Sequence, residues 1–237
     1  MRVIEFDTNQ GVYAFQFQAL DTEFHSHPAI EILLVENGTV EVSTEDFVCK
    51  GVSLAIIDAN VKHKVSGEAD SIKAVMIEHR DMAIKEKLAL LKIDLGEGLY
   101  VLGKDDKSQI DFESLCQMLT STEITLGYDR RICKILHYLH ENDVAYETMM
   151  AELTQIVSLS ESRLSHLFKE NVGISLKKYM LWSKLRTTIS QFLDEKEDLF
   201  SALIQSGFYD QPHFSNAFKT MLGVRPSKAY NSRTVQF

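Results

Sequence analysis

Apolar residues recur along this chain with two periods, and the change of period divides it. Between residues 12 and 77 they alternate or come in short blocks: residues 12–18 alternate, and 30–35, 52–57 and 72–77 are compact β-rich runs. Spacing of this kind predicts short strands closing into a small barrel or sandwich. Glu36, Asn37, Gly38 and Thr39 carry the signal of a hairpin turn. From Asp81 the period lengthens. Ile84, Leu88 and Leu91 share one helix face, residues 95–98 read as a turn, and 99–102 as a short extended piece. Phe112, Leu115, Cys116 and Leu119 then mark a second helix at i, i+3, i+4, i+7. Polar residues 121–129, with Gly127, mark a boundary.

From Asp129 onward the pattern is helical, and it repeats. Ile132, Ile135, Leu136 and Leu139 form one apolar face, residues 146–157 form the next helix, and a Lys/Arg-rich helix runs from about 175 to 193. Between them, Ser160 stands four residues before Leu164, followed by Ser165, Phe168-Lys169 and Gly173. Fifty residues later Asp210 stands four before Phe214, followed by Ser215, Phe218-Lys219 and Gly223. Cap, apolar anchor, Phe-Lys and terminating glycine recur at identical offsets, so one structural unit occurs twice. Ser160 and Asp210 are N-caps, Pro212 suits a first turn, and glycine closes each helix. Each unit presents a buried apolar face and an exposed polar one, the layout of a helix that reads a major groove.

Charge follows the same division. The formal net charge is −9, but residues 1–129 hold 11 Lys+Arg against 23 Asp+Glu, whereas residues 130–237 hold 14 against 11. An acidic N-terminal part and a mildly basic C-terminal one are expected, with DNA specificity resting on placed contacts more than on bulk field. Three scattered cysteines, Cys49, Cys116 and Cys133, fit free thiols in a reducing cytoplasm. No apolar run approaches a membrane span, and the start of the chain lacks the pattern of a signal peptide.

One cluster carries candidate metal chemistry. In an extended segment His25 and His27 fall on one side, and Glu31 joins them if the strand continues. With His63 they form a three-imidazole, one-carboxylate set of the kind that suits Zn, Fe, Mn or Ni. His25, His27, Glu31 and Gly38 match the first cupin motif, H-x-H-x₃-E-x₆-G. The second motif is degraded: Asp58, Ala59 and Asn60 stand where Pro-x-Gly is usual, ahead of His63. The resemblance implies a cupin-like barrel in which these four residues line an effector pocket or hold a divalent transition metal. No catalytic residue is assigned.

The run Gly207-Phe208, Asp210-Gln211, His213-Phe214-Ser215, Ala217-Phe218-Lys219, Gly223-Val224, Pro226 and Tyr230 resembles the signature of the AraC/XylS-type transcriptional regulators, a likeness spanning about residues 129–231. The first unit departs from the family at Thr154 and Ser158, where a small residue and glycine are usual. The whole is then α+β: a sensor barrel (1–80), a helical connector with possible dimer contacts (81–128), and two helix-turn-helix units joined by a long helix (129–237). By the resemblance and the exposed-face pattern, Ser162, Ser165 and His166 face bases in one groove and Gln211, His213 and Asn216 in the next. Lys169, Lys184, Arg186 and Lys219 face phosphates. The expected activity is effector-controlled, sequence-specific DNA binding by a cytoplasmic homodimer. Double-stranded DNA, a small-molecule effector and RNA polymerase are its partners, and it has no enzymatic activity. The alternative is a metal-dependent cupin enzyme carrying a DNA-binding appendage.

Overall fold

The computed structural model describes residues 1–78, 83–104, 106, 111–120, 129–142, 146–194 and 199–229. Five strands fill the first third: β1 (Arg2–Asp7), β2 (Val12–Asp21), β3 (Ala29–Thr44), β4 (Val48–Ile57) and β5 (His63–Glu78). With β6 (Leu99–Gly103) they form one antiparallel sheet in the order β1-β2-β5-β3-β4-β6. Its alternation sorts the side chains. Ile30, Ile32, Leu54, Ile56, Val75 and Ile77 face α1 (Ala83–Leu90) and α2 (Phe112–Thr120), which cover them with Ile84, Leu88, Leu115 and Leu119. Leu33, Val35, Val40, Val42, Ala55, Val65 and Ile72 fill the other face.

The structure corrects one local expectation here. Residues 36–39 do not turn the chain; β3 runs straight through them, pairing with β5 from Ala29↔Glu78 to Thr44↔His63. Asn37 takes φ +53° and the register against β4 shifts between Leu34 and Val40. The Asn-Gly pair therefore lies within β3, where pairing with β4 is interrupted while the ladder to β5 keeps its register. The reversal into β4 comes later, where Thr44 N–H donates to Phe47 O at 2.8 Å.

The C-terminal half contains α3 (Arg130–Glu141), α4 (Tyr146–Val157), α5 (Glu161–Val172), α6 (Leu176–Asp194), α7 (Leu199–Gln205), α8 (Gln211–Leu222) and α9 (Pro226–Ala229). The caps lie where the sequence places them. Ser160 Oγ accepts from Arg163 N–H, Asp210 Oδ1 accepts from His213 N–H, and Gly173 and Gly223 close α5 and α8 in the left-handed conformation. Ser158, at a position where the regulators usually have glycine, takes φ +53°. The turn before α5 thus keeps its shape with a serine, at a cost of about 1–2 kcal/mol.

The two repeats differ in what they pack against. The first unit builds its core from helices alone, joining Ile132, Ile135, Leu153, Leu164, Phe168 and Leu176. The core of the second contains Trp182, Leu185, Phe214, Phe218 and Met221, together with Tyr13, Ala29 and Met76 of the sheet.

Candidate functional site

Helices α5 and α8 present the polar residues expected to meet DNA. Ser162, His166, Gln211, His213 and Asn216 are exposed, and Ser165 is half-buried. Their neighbours Leu164, Phe168, Phe214 and Phe218 are at most 2% exposed and fix each helix to its unit. Of the residues expected on phosphates, Lys169 is exposed. Lys184 Nζ donates to Gly207 O at 3.2 Å, behind the C-terminus of α7. Lys219 pairs with Glu23 of the sheet domain at 2.8 Å.

Arg186 is a correction. Only 6% exposed, it donates to both oxygens of Glu78, at 2.9 and 2.8 Å, instead of facing solvent. Tyr13 Oη and Trp182 Nε1 donate to Glu78 Oε1 at 2.8 and 2.7 Å. The carboxylate is fully engaged, as a buried charge must be. Burial, followed by the charge of Glu78, pushes the Tyr13 phenol up; for Arg186 burial works downward, but Glu78, Tyr13 and Tyr179 together outweigh it and raise the guanidinium. Residue spacing could not reveal this lock: Glu78 ends an apolar run and reads as a strand-end acid, and its partners lie at least 65 positions away.

A second buried cluster lies beside it. His25, His27, Glu31 and His63 are 6%, 1%, 7% and 0% exposed, and one ligand atom from each lies within 4.8 Å of the others. The expected convergence holds, but for another reason. His25 and His27 do not belong to a strand. They lie in the segment between β2 and β3, brought to His63 by an isolated bridge with N–O distances of 2.9 Å both ways. Each imidazole uses Nδ1 on a backbone carbonyl: His25 on Glu23 O (2.9 Å), His27 on Ala29 O (3.0 Å) and His63 on Val61 O (3.0 Å). A carbonyl only accepts, so each Nδ1 carries hydrogen and each Nε2 is left to the cluster.

His63 Nε2 reaches Glu31 Oε2 at 2.9 Å; His27 Nε2 lies 3.4 Å from the same oxygen, without hydrogen-bond geometry. Burial would lift the Glu31 carboxyl, but His27 and His63 hold it well below the usual range. His63 is raised, its contact with Glu31 outweighing burial, whereas burial and its two neighbours push His25 down to about 3. Three Nε2 atoms and a carboxylate facing one another need a cation or a proton between them. Backbone carbonyls orienting the far nitrogens are the usual outer support of metal-bound histidines. The donor set therefore fits a divalent transition metal held by His25, His27, Glu31 and His63. The cavity above it, about 60 Å³, is lined by Phe15, Phe17 and Met76 of the sheet and by Ile189, Phe218 and Leu222 of the helical half.

Residues 153–232 match a helix-turn-helix domain family. The C-terminal part of the chain is an AraC-type helix-turn-helix domain. The likeness to curated proteins extends further in one case. "Probable transcriptional regulator LumQ" of Photobacterium leiognathi is 25% identical across 91% of this chain and 95% of that protein. The Msm operon regulatory protein of Streptococcus mutans is 32% identical over 48% of this chain and 40% of its own length. The arabinose operon regulatory protein of Escherichia coli is 29% identical over 42% and 34%. ToxT of Vibrio cholerae shares the fold at 12% identity, with a TM-score of 0.55, across 95% of this chain and 98% of that one. The antiparallel sheet and the helix-turn-helix domain thus belong to one known α+β arrangement. Tyr230 of the motif lies outside the described residues.

Proposed function

We propose that the protein is a sequence-specific DNA-binding transcription regulator controlled by a ligand in its sheet domain. The observation that carries this reading is the pair of helices, α5 and α8, capped alike, offset by fifty residues and each exposing polar side chains. The regulators that resemble the chain over its helix-turn-helix region support it, as does the LumQ match over most of the length. Gln211 and Asn216 can bond adenine bidentately, while Ser162, Ser165, His166 and His213 discriminate less. Lys169, Lys184 and Lys219 face phosphates when DNA is bound, Lys219 after release from Glu23.

His25, His27, Glu31 and His63 serve sensing rather than catalysis. A catalytic metal keeps an open position for substrate. Here all four residues are at most 7% exposed and the adjoining cavity is about 60 Å³, below the several hundred Å³ of ordinary small-molecule sites. A structure of ToxT contains an unsaturated fatty acid, which supports ligand control within this architecture. The protein works in the cytoplasm as a homodimer that meets RNA polymerase at its promoters; Leu90, the last residue of α1 and 82% exposed, supports self-association. No helix among the described residues is long and apolar enough to cross a membrane.

The test is DNA binding by the full chain to a duplex selected from random sequence. His166→Ala and Asn216→Ala should each weaken that duplex by about 1–3 kcal/mol and leave the melting temperature unchanged. Undiminished affinity in both variants would sink the base-contact assignment.

A further inference from the structure

Gly173 and Gly223 are equivalent positions of the repeat, and each touches a loop that carries, or leads into, metal-site histidines. A Cβ built on Gly223 would meet His25 Nδ1 at 2.6 Å, Thr22 Cβ at 2.7 Å and Glu23 O at 2.8 Å. Glu23 N–H donates to Gly223 O at 2.7 Å. The same loop holds Lys219 through Glu23 and receives Lys178 Nζ on Ser26 Oγ at 2.8 Å. On the other side, a Cβ built on Gly173 would come within 3.0 Å of Asn60 Nδ2. Asn60 N–H donates to His27 O at 2.8 Å, and its buried Oδ1 has no hydrogen-bond partner. Asn60 stands where the cupin motif is degraded, so the departure coincides with a contact to the first reading unit.

We propose that a divalent transition-metal ion bound by His25, His27, Glu31 and His63 is a regulatory ligand that clamps both helix-turn-helix units onto the sheet domain through residues 22–27 and 58–63. The inference rests on the DNA-binding reading above. Its physical basis is selective binding. The four ligands converge in the arrangement in which both loops hold the glycines, and an ion stabilises whichever conformation it binds best. The widest ligand separation, up to 4.8 Å, needs to close by only about 1–1.5 Å to reach tetrahedral zinc spacing, roughly 3.3 Å from the usual Zn–N distance. The His25–His63 bridge already ties the two loops together. Loading therefore draws them in as one piece. In the clamped state Lys219 is engaged by Glu23, so the loaded protein binds DNA more weakly; by linkage, DNA lowers metal affinity by the same factor.

The experiment combines metal stoichiometry with hydrogen exchange on the full chain, with and without saturating Zn²⁺ and without DNA. The expected result is one Zn²⁺ per chain, with affinity reduced more than about tenfold in His63→Ala. Exchange should slow about tenfold at residues 22–27 and 58–63, and also at Gly173 and residues 219–224. Glu31→Gln, close in size to the native side chain, serves if His63→Ala fails to fold; it should abolish both responses. Absence of bound Zn²⁺ overturns the site. Bound Zn²⁺ with slowing confined to the two loops, or with faster exchange at 173 and 219–224, overturns the clamp. Neither readout involves DNA, so failure of the DNA-binding reading shows separately, in the duplex assay.

Discussion

The two helix-turn-helix units share their caps, anchors and terminating glycines, yet they stand in different relations to the rest of the molecule. The first closes its core with its own helices and meets the sheet domain at Gly173 against Asn60. The second shares a core with Tyr13, Ala29 and Met76, abuts the Glu78 lock and holds Glu23 through both Lys219 and Gly223. A repeat fixes the local shape of a unit; the partners it finds after folding decide whether it acts independently. The first unit keeps its own core and touches the sheet at one glycine, whereas the second shares its core with the sheet.

The strongest way to break that contrast is Glu78→Ala. It strands the Arg186 guanidinium, 6% exposed in the native state, and removing one partner of a buried pair costs about 3–5 kcal/mol. Thermal melting should show the loss. Hydrogen exchange should place it in α6 and α8, with α5 protected as before; equal loss in α5 would mean that the units are not distinct. Next comes the matched pair Gly223→Ala and Gly173→Ala. Both residues have positive φ, +69° and +83°, which costs alanine about 1–2 kcal/mol. Only at Gly223 does the new methyl meet backbone, Glu23 O at 2.8 Å; at Gly173 it meets the end of the Asn60 side chain. Melting should therefore separate them by a further 1–2 kcal/mol or so, the strain of an overpacked contact. Equal costs would remove the asymmetry.

Smaller effects sharpen the comparison. Lys169→Ala and Lys219→Ala should each lower DNA affinity on every sequence and reduce the salt slope by about one. Lys219→Ala should show the smaller loss of affinity, because native Lys219 must first leave Glu23. Glu23→Gln removes a solvent-accessible pair, its side chains 66% and 33% exposed, so stability should change by less than about 1 kcal/mol. DNA affinity should rise a few-fold, by fluorescence anisotropy; no rise would mean that Glu23 does not compete with phosphate.

What the sequence revealed was what it encodes locally. Ser160, Asp210, Gly173 and Gly223 act within a turn of their own helices, and the caps lie at the residues that spacing indicates. The apolar faces of α3, α5 and α8 follow from period alone. The four metal-site candidates were legible from motif spacing, although two belong to a loop and not to a strand. Other features depended on distant partners. Arg186 lies on a Lys/Arg-rich helix and looked like its solvent-facing neighbours; only the approach of Glu78, 108 residues earlier, buries it. Asn37-Gly38 has the chemistry of a hairpin, but the ladder to β5 carries the strand through it. Glu23 and Thr22 carry no motif, and Asn60 only a departure from one, because their roles exist only where two halves of the chain meet.

Trp182 is the one tryptophan in the chain. It is 3% exposed, edge-on to Tyr13 with ring centroids 5.9 Å apart, and 6.2 Å from the His27 ring. The protein thus carries a single indole fluorophore at the joint between sensor and reader. Its emission, free of background from other indoles, should shift to longer wavelength as the halves part and water reaches the ring. Stopped-flow fluorescence on unlabelled protein can then time the opening step itself, independently of any promoter sequence.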